Sequence, residues 1–239
     1  MRITYLLNSG FAVEERENLL VFDAFDDPAN ALERILQAHS FAHIYFFASH
    51  SHFDHFNGQL LAKFSSQATA FFLSSDIRRS PDASLLPKEK IIWLAPYEEK
   101  QYGGLLVESF SSTDLGTSFR VSTDTVTLFH AGDFNWWDWI GDTHENRQLA
   151  ANGFHKQLKK LAGMTADVAF FPVDGRLGPS MAKGAKEFVA ATNVRALITM
   201  HSVGYSRWQV PVNFFVLGHE IPVWSPVSPG EEKDFVHKG

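Results

Sequence analysis

The chain contains no cysteine. Disulfides and thiolate metal ligands are therefore excluded, while reducing and oxidising compartments both remain compatible. No apolar run approaches the roughly 20 residues that a membrane helix needs, so no membrane contact is expected. A basic excess is also missing: 21 Lys and Arg stand against 27 Asp and Glu, a formal net charge of −6. Without a basic patch, nucleic acid is not an expected partner. The N-terminal MRITYLLNSGF lacks a long apolar core followed by a small-residue cleavage site. No signal peptide is read there, and a cytoplasmic location is the expectation. Short repeats, low-complexity stretches and clear linkers are absent as well.

What is present is an ordinary globular composition, with 45% hydrophobic and 20% charged residues over 239 positions. That length buries a substantial core and is read as one domain over 1–239, with a polar, loose tail from Ser225 to Gly239. Strand signals open the chain: Arg2–Leu7 and Phe11–Glu15 flank an Asn8-Ser9-Gly10 turn, and the apolar run from Asn18 to Phe25 contains Asp23. Pro28–Ala38 has helical spacing, and His43–Ala48 reads as a strand buried on both faces. A short helix over Gln59–Phe64 follows. Further strands are expected at Ala68–Leu73, Lys90–Leu94, Leu105–Phe110, Ser118–Val121, Thr125–His130, Asp167–Phe171, Arg195–Met200 and Ile221–Trp224. Helices are expected at Glu145–Leu161, Ser180–Ala191 and Pro211–Leu217. Strands at both ends with interleaved helices fit an α/β fold of four layers, αββα, in which two sheets pack face to face.

The chain has 11 histidines, and three of them fall within the six residues His50-Ser51-His52-Phe53-Asp54-His55, directly after the buried strand. A metal site needs several lone pairs converging on one point. A loop at the end of a rigid strand provides that, because its origin is fixed and its path can curl around an ion. Imidazole suits zinc, iron and similar borderline metals, and carboxylate adds charge and hardness. The bland alternative is a surface loop that happens to hold three histidines. A buried cluster with no cation is worse, since packed polar side chains would be left unpaired.

HxHxDH after a buried strand resembles the signature of the metallo-β-lactamase superfamily, and the resemblance runs through nearly the whole chain in motif order. Asp23 in VFDAF resembles the carboxylate that supports the ligand loop. Gly132-Asp133 in HAGDFN resembles the Gly-Asp pair whose carboxylate bridges two metals, and His201 in ITMHSVG resembles the terminal histidine. The resemblance implies the αββα fold and a hydrolase that uses a metal-bound hydroxide at a dinuclear centre. It implies His50 and His52 on metal one, Asp54, His55 and His201 on metal two, and Asp133 between them. Asp54 and Asp133 are then the carboxylates on which catalysis depends, and Asp23 orients the imidazoles from behind. Two divalent ions are implied, zinc first, with manganese or iron as alternatives. The compact length and the HAGD wording resemble the short ascorbate-6-phosphate lactonase-like members.

One feature departs from that pattern. The family carries a further histidine between HxHxDH and Gly-Asp, and the matching stretch SFSSTDLGTSF has Thr113 and Asp114 instead. Three readings stay open: Asp114 replaces the imidazole, His130 swings in from the neighbouring strand, or metal one is weakly held or absent. Around the centre, Trp136, Trp137 and Trp139 wall a substrate pocket or anchor their loop in the core. Arg176, beside Asp174, grips a substrate phosphate or carboxylate or forms a local ion pair. Tyr205, Arg207 and Trp208 are candidates for the mouth. His39, His43, His144, His155, His219 and His237 show no partner pattern and are read as structural or surface residues.

The expected activity is cleavage of an ester, lactone or phosphodiester in a small molecule. A nuclease is the second enzyme reading, disfavoured by the missing extra domain and basic patch. A two-iron redox protein would have Glu where His52 stands and an appended flavin domain. A β-lactamase usually goes with secretion. The non-enzyme reading is a degenerate binding or sensing protein, kept open by the missing histidine.

Overall fold

The computed structural model describes residues 1–235. The first half runs β1 (Arg2–Leu7), β2 (Gly10–Glu15), β3 (Asn18–Phe22), α1 (Ala31–Ala38), β4 (His43–Ala48), α2 (Gly58–Lys63), β5 (Ala70–Ser74) and β6 (Ile91–Leu94). The second half runs β7 (Glu99–Tyr102), β8 (Leu105–Ser111), β9 (Thr117–Ser122), β10 (Thr127–His130), α3 (His144–Leu161), β11 (Thr165–Ala166) and β12 (Val168–Pro172). It continues through α4 (Lys183–Ala191), β13 (Asn193–Val194), β14 (Leu197–Met200), β15 (Val223–Trp224) and β16 (Glu232–Asp234). One seven-stranded sheet has the order β16-β1-β2-β3-β4-β5-β6, the other β15-β14-β12-β10-β9-β8-β7, and β11 and β13 form a small pair.

The period of two along the strands builds the layers. In β3 to β5, Leu20, Phe22, Tyr45, Phe47 and Phe72 point to the core between the sheets. The alternating Leu19, Val21, Phe46, Phe71 and Leu73 join Leu32 and Ile35 of α1 and Leu61 of α2 on the outer side. A strand buried on both faces reads as a continuous apolar run, which is why HIYFFA shows no alternation. The second sheet is covered by α3 and α4, whose Phe154 and Phe188 pack on Phe134 and on Phe129 and Phe171 respectively. The observed arrangement is the expected four-layer αββα sandwich.

Parallel pairing in both halves matters most for the site. Strands β3, β4, β5 and β6 run parallel in the first sheet, and β10, β12, β14 and β15 in the second. Parallel neighbours need a crossover connection, most often a helix, so their carboxyl ends gather on one edge, where open α/β sheets bind ligands.

Three local expectations are corrected. Pro211–Leu217 forms turns rather than a helix, with Phe214 its buried anchor. The tail is not loose throughout: Glu232–Asp234 pairs antiparallel with β1 as an edge strand. Strand β7 was not expected, because EKQY is exposed along its length and shows no apolar alternation. Its pairing with β8 creates it. Among the described residues, no helix is long and apolar enough to cross a membrane.

Phe170 joins the sheets. Its ring lies 4.6 Å from that of Phe11 and 5.9 Å from that of Phe22. Phe170→Ala is expected to cost about 3–5 kcal/mol through lost burial and the cavity it leaves. The drop in Tm, read by thermal denaturation, is roughly 10 °C for a chain of this size.

Candidate metal centre

Asp23 follows β3 at the carboxyl edge with a left-handed backbone (φ 42°). It is fully buried. Its Oδ1 accepts the Ser49 N–H at 2.7 Å, and its Oδ2 accepts the Ser49 hydroxyl and the His55 Nδ1–H, each at 2.7 Å. Burial pushes this carboxyl up, but the imidazoles of His130, His55 and His50 reverse that and hold it below its usual value. The Ser49 oxygen also lies 2.9 Å from His50 Nδ1 and accepts from it once its own proton is on Asp23. One buried carboxylate thus fixes the orientation of two imidazoles, turning Nε2 of His50 and of His55 away from it toward the second sheet.

Close backbone approach brings the second sheet in. Gly132 (φ 54°) sits where a Cβ would stand 2.7 Å from Ser49 Cβ, and Gly116 (φ 72°) where one would stand 2.1 Å from the Ser49 carbonyl oxygen. Only glycine tolerates both the positive φ and the contact. Asp133 then enters beneath the HxHxDH loop, with Oδ2 3.4 Å from His50 Nε2 and Oδ1 3.2 Å from His55 Nε2 and 3.3 Å from His201 Nε2. Burial pushes the Asp133 carboxyl up, and the His55, His50 and His201 imidazoles pull it well below its usual value. For His55, burial acts downward, but the carboxylates of Asp133 and Asp23 on either side outweigh it and push the ring up to about 10.

Two donor groups result. His50, His52 and Asp133 form one, and Asp54, His55 and His201 the other, with the donor atoms of each group within 4.8 Å of one another. His50 Nε2 and His52 Nδ1 are 3.0 Å apart. Asp54 Oδ2 lies 3.8 Å from His55 Nε2 and 3.9 Å from His201 Nε2. Donors held about 2.0–2.2 Å from a tetrahedral ion lie roughly 3.3–3.6 Å apart, so these spacings fit an ion in each group. His55 Nε2 and Asp133 Oδ1 are buried with no hydrogen-bond partner. Two buried atoms that can each turn a lone pair to one point are what a cation would satisfy. The residues present fit a pair of divalent ions.

The supports of the second group escaped the sequence reading in part. Asp174, buried at the end of β12, takes the His201 Nδ1–H on Oδ2 at 2.9 Å, and this assigns it a positioning role behind His201. Burial pushes its carboxyl up, and hydrogen bonds from His201 and Arg176 bring it below its usual value. Asn8 was read only as a turn residue, yet its Nδ2 donates to Asp54 Oδ2 at 3.1 Å and its carbonyl accepts the His201 N–H at 3.1 Å. Asp76 Oδ2 accepts the Ser51 N–H at 2.9 Å. A polar residue just past a buried strand was the available signal for Asn8, and the hairpin pattern masked it.

His130 is not a donor. Its Nε2–H donates to the Ser9 carbonyl at 2.8 Å, and its Nδ1 accepts the Gly132 N–H at 3.2 Å. Both ring nitrogens are thus spent on backbone groups, and burial pushes the ring's pKa down. Thr113 is likewise occupied: its oxygen accepts the Asn135 N–H at 2.9 Å and donates to the Asn135 carbonyl at 2.6 Å. Asp114 Oδ2 lies 3.7 Å from His52 Nδ1.

A cleft of about 250 Å³ opens beside Asp54 and His201, walled by Phe25, Phe53, Arg176 and Tyr205. The Arg176 Nη2 holds Asp174 Oδ2 at 2.5 Å, and its guanidinium carbon lies 5.5 Å from the Trp139 ring centre. Trp137 donates its indole N–H to the Asp133 carbonyl at 3.0 Å and sets its ring edge-on to His201. Trp136 does not reach this rim; it stacks on Phe154 and meets His155 edge-on, against α3. Arg207 and Trp208 also lie elsewhere, Arg207 on Glu231 and Ser225 and Trp208 on Phe214. His39 pairs with Glu14 and His155 with Glu187, and His237 lies outside the described residues.

Asp174→Ala removes the acceptor behind His201. It is expected to weaken metal binding by the Asp54, His55 and His201 group by about 10–100-fold in a chelator competition assay, as loss of such outer partners does.

No protein-family profile matches the chain. No curated protein sequence matches it either. Solved structures do. Igni18, a metallo hydrolase from the archaeon Ignicoccus hospitalis, superposes with a TM-score of 0.63 at 16% identity, covering 98% of this chain and 99% of its own. A proposed metal-dependent hydrolase from Parabacteroides distasonis gives 0.62 at 14% identity over 93% and 91%. The metallo-β-lactamase fold protein YhfI from Bacillus subtilis gives 0.56 at 13% identity over 98% and 99%. With its two sheets, its outer helices and its donor groups on the shared carboxyl edge, the chain has the metallo-β-lactamase fold.

Proposed function

We propose that the protein is a metal-dependent hydrolase that cleaves an ester, lactone or phosphodiester bond in a small molecule at a centre of two divalent ions. The observation that carries this reading is the pair of donor groups meeting at Asp133, where His55 Nε2 and Asp133 Oδ1 are buried without a hydrogen-bond partner. Divalent ions in such a setting supply Lewis acidity and lower the pKa of water from 15.7 to about 7. Imidazole suits zinc first, and the carboxylates are also compatible with manganese or iron.

The chain's own residues have separable tasks in this reading. Asp133 presents one oxygen to each donor group. Asp54, tethered by Asn8, stands between the centre and the cleft, where it holds or accepts a proton during bond cleavage. Arg176 fixes an anionic part of the substrate, while Phe25, Phe53 and Tyr205 shelter an apolar part. A cleft of about 250 Å³ favours a small substrate over a polymer, as does the net charge of −6. A binding or sensing role is the second reading, favoured by the half-exposed His52 at a position that lacks the usual third imidazole.

Elemental analysis of the purified protein, followed by a panel of generic lactones, esters and phosphodiesters, separates the readings. Two equivalents of metal with turnover support the hydrolase; bound metal without turnover across the panel supports the binder. Asp54→Ala is expected to lose one ion and to lower kcat by at least about 10²–10³-fold, the scale of removing a key electrostatic group. Full turnover in that variant sinks the two-ion mechanism.

A further inference from the structure

The two donor groups are buttressed unequally. In the Asp54, His55 and His201 group, both imidazoles are buried, and each donates its Nδ1–H to a buried carboxylate. In the other group, His50 leans on the neutral Ser49 hydroxyl. His52 is 46% exposed, and its Nε2 has no hydrogen bond among the described residues. Without a further residue this group offers only three protein donors, one of them shared.

The turn between β8 and β9 carries a further carboxylate beside His52. It is pinned at each end of Asp114. Thr113 is locked to the Asn135 backbone, while Gly116 and the Thr117 N–H, which donates to the Ser49 carbonyl at 2.9 Å, press the turn onto the start of the HxHxDH loop. The Ser112 hydroxyl caps the Asp114 N–H at 3.2 Å. This backbone leaves Asp114 Oδ2 3.7 Å from His52 Nδ1, close to the donor spacing across one ion. The competing candidate, His130, is already consumed by backbone hydrogen bonds, as is Thr113 beside Asp114.

Resting on the metal-centre reading above, we propose that the Asp114 carboxylate is the fourth protein donor of the His50, His52 and Asp133 position. Each ion then faces two imidazoles, one terminal carboxylate and a share of Asp133. Replacing a neutral imidazole by a carboxylate reduces the net charge of the loaded centre by one. It also hardens this position, shifting it toward manganese or ferrous iron relative to a three-imidazole set. Because His52 and Asp114 are half-exposed and lightly supported, this position loads second and exchanges first.

The test is direct metal binding, with no substrate. Metal-free protein prepared with a chelator is titrated with Mn(II) and with Zn(II), followed by calorimetry and elemental analysis, and with Co(II), followed by its visible spectrum. Wild type is expected to take two equivalents in two affinity classes. Asp114→Ala is expected to keep the tight class and to lose at least about 10–100-fold in the weak one. Asp114→His is expected to regain the second equivalent with its preference moved from Mn(II) toward Zn(II). Asp114 is exposed, so the Tm of the metal-free variants should match wild type. Two equivalents bound with unchanged affinities in Asp114→Ala overturn the proposal and leave the dinuclear reading standing. One equivalent in both proteins overturns it in favour of a mononuclear centre, and no metal in either overturns both readings.

Discussion

A carboxylate buried between two sheets is the constraint on which this architecture turns. Asp23 cannot stay charged at full burial unless donors surround it, because an unpaired buried charge costs many kcal/mol. It draws in the Ser49 N–H, the Ser49 hydroxyl and the His55 ring, and so dictates the path of the chain out of β4. The left-handed backbone at Asp23 is tolerated because that surrounding network over-determines it. Once the loop is set, the glycines at 116 and 132 let the second sheet close against it, and Asp133 arrives beneath two imidazoles whose orientations are already fixed.

The second half repeats the device with other residues. Asp174 after β12 holds His201 after β14, as Asp23 after β3 holds His55 after β4. In each sheet the carboxylate and the imidazole come from neighbouring parallel strands, so the registry of the sheet itself sets their distance. His201, like Asp23, stands at a positive φ, and the Asn8 carbonyl ties its backbone to the opposite sheet. Rigid strands thus deliver the donors, and short strained segments aim them. The chemistry is exposed only where His52, Asp54 and the cleft reach solvent.

This division has a chemical consequence. A position whose imidazoles are backed by buried carboxylates is preorganised and loses little freedom on binding an ion. A position made from a half-exposed imidazole and a turn carboxylate must order its own side chains. In the proposed centre the difference lies in support rather than in donor type: His55 and His201 are backed by buried carboxylates, while His52 is half-exposed.

The sequence by itself determined the layered fold and the heart of the site. Short continuous apolar runs such as HIYFFA fit strands covered on both faces, and HSHFDH gathers donors of the kind that bind a cation. Polar, exposed EKQY became a strand only through its partner β8, and Pro211–Leu217 has helical composition but is held in turns by the burial of Phe214. The surroundings of Asp114, His130 and Thr113 were likewise beyond the sequence, since chain order does not show which backbone groups each one meets. Only the tertiary structure decided what surrounds them: the sheets bring the Ser9 carbonyl and Gly132 N–H to His130 and the Asn135 backbone to Thr113, so their lone pairs and protons are spent, while the Asp114 carboxylate is left 3.7 Å from His52.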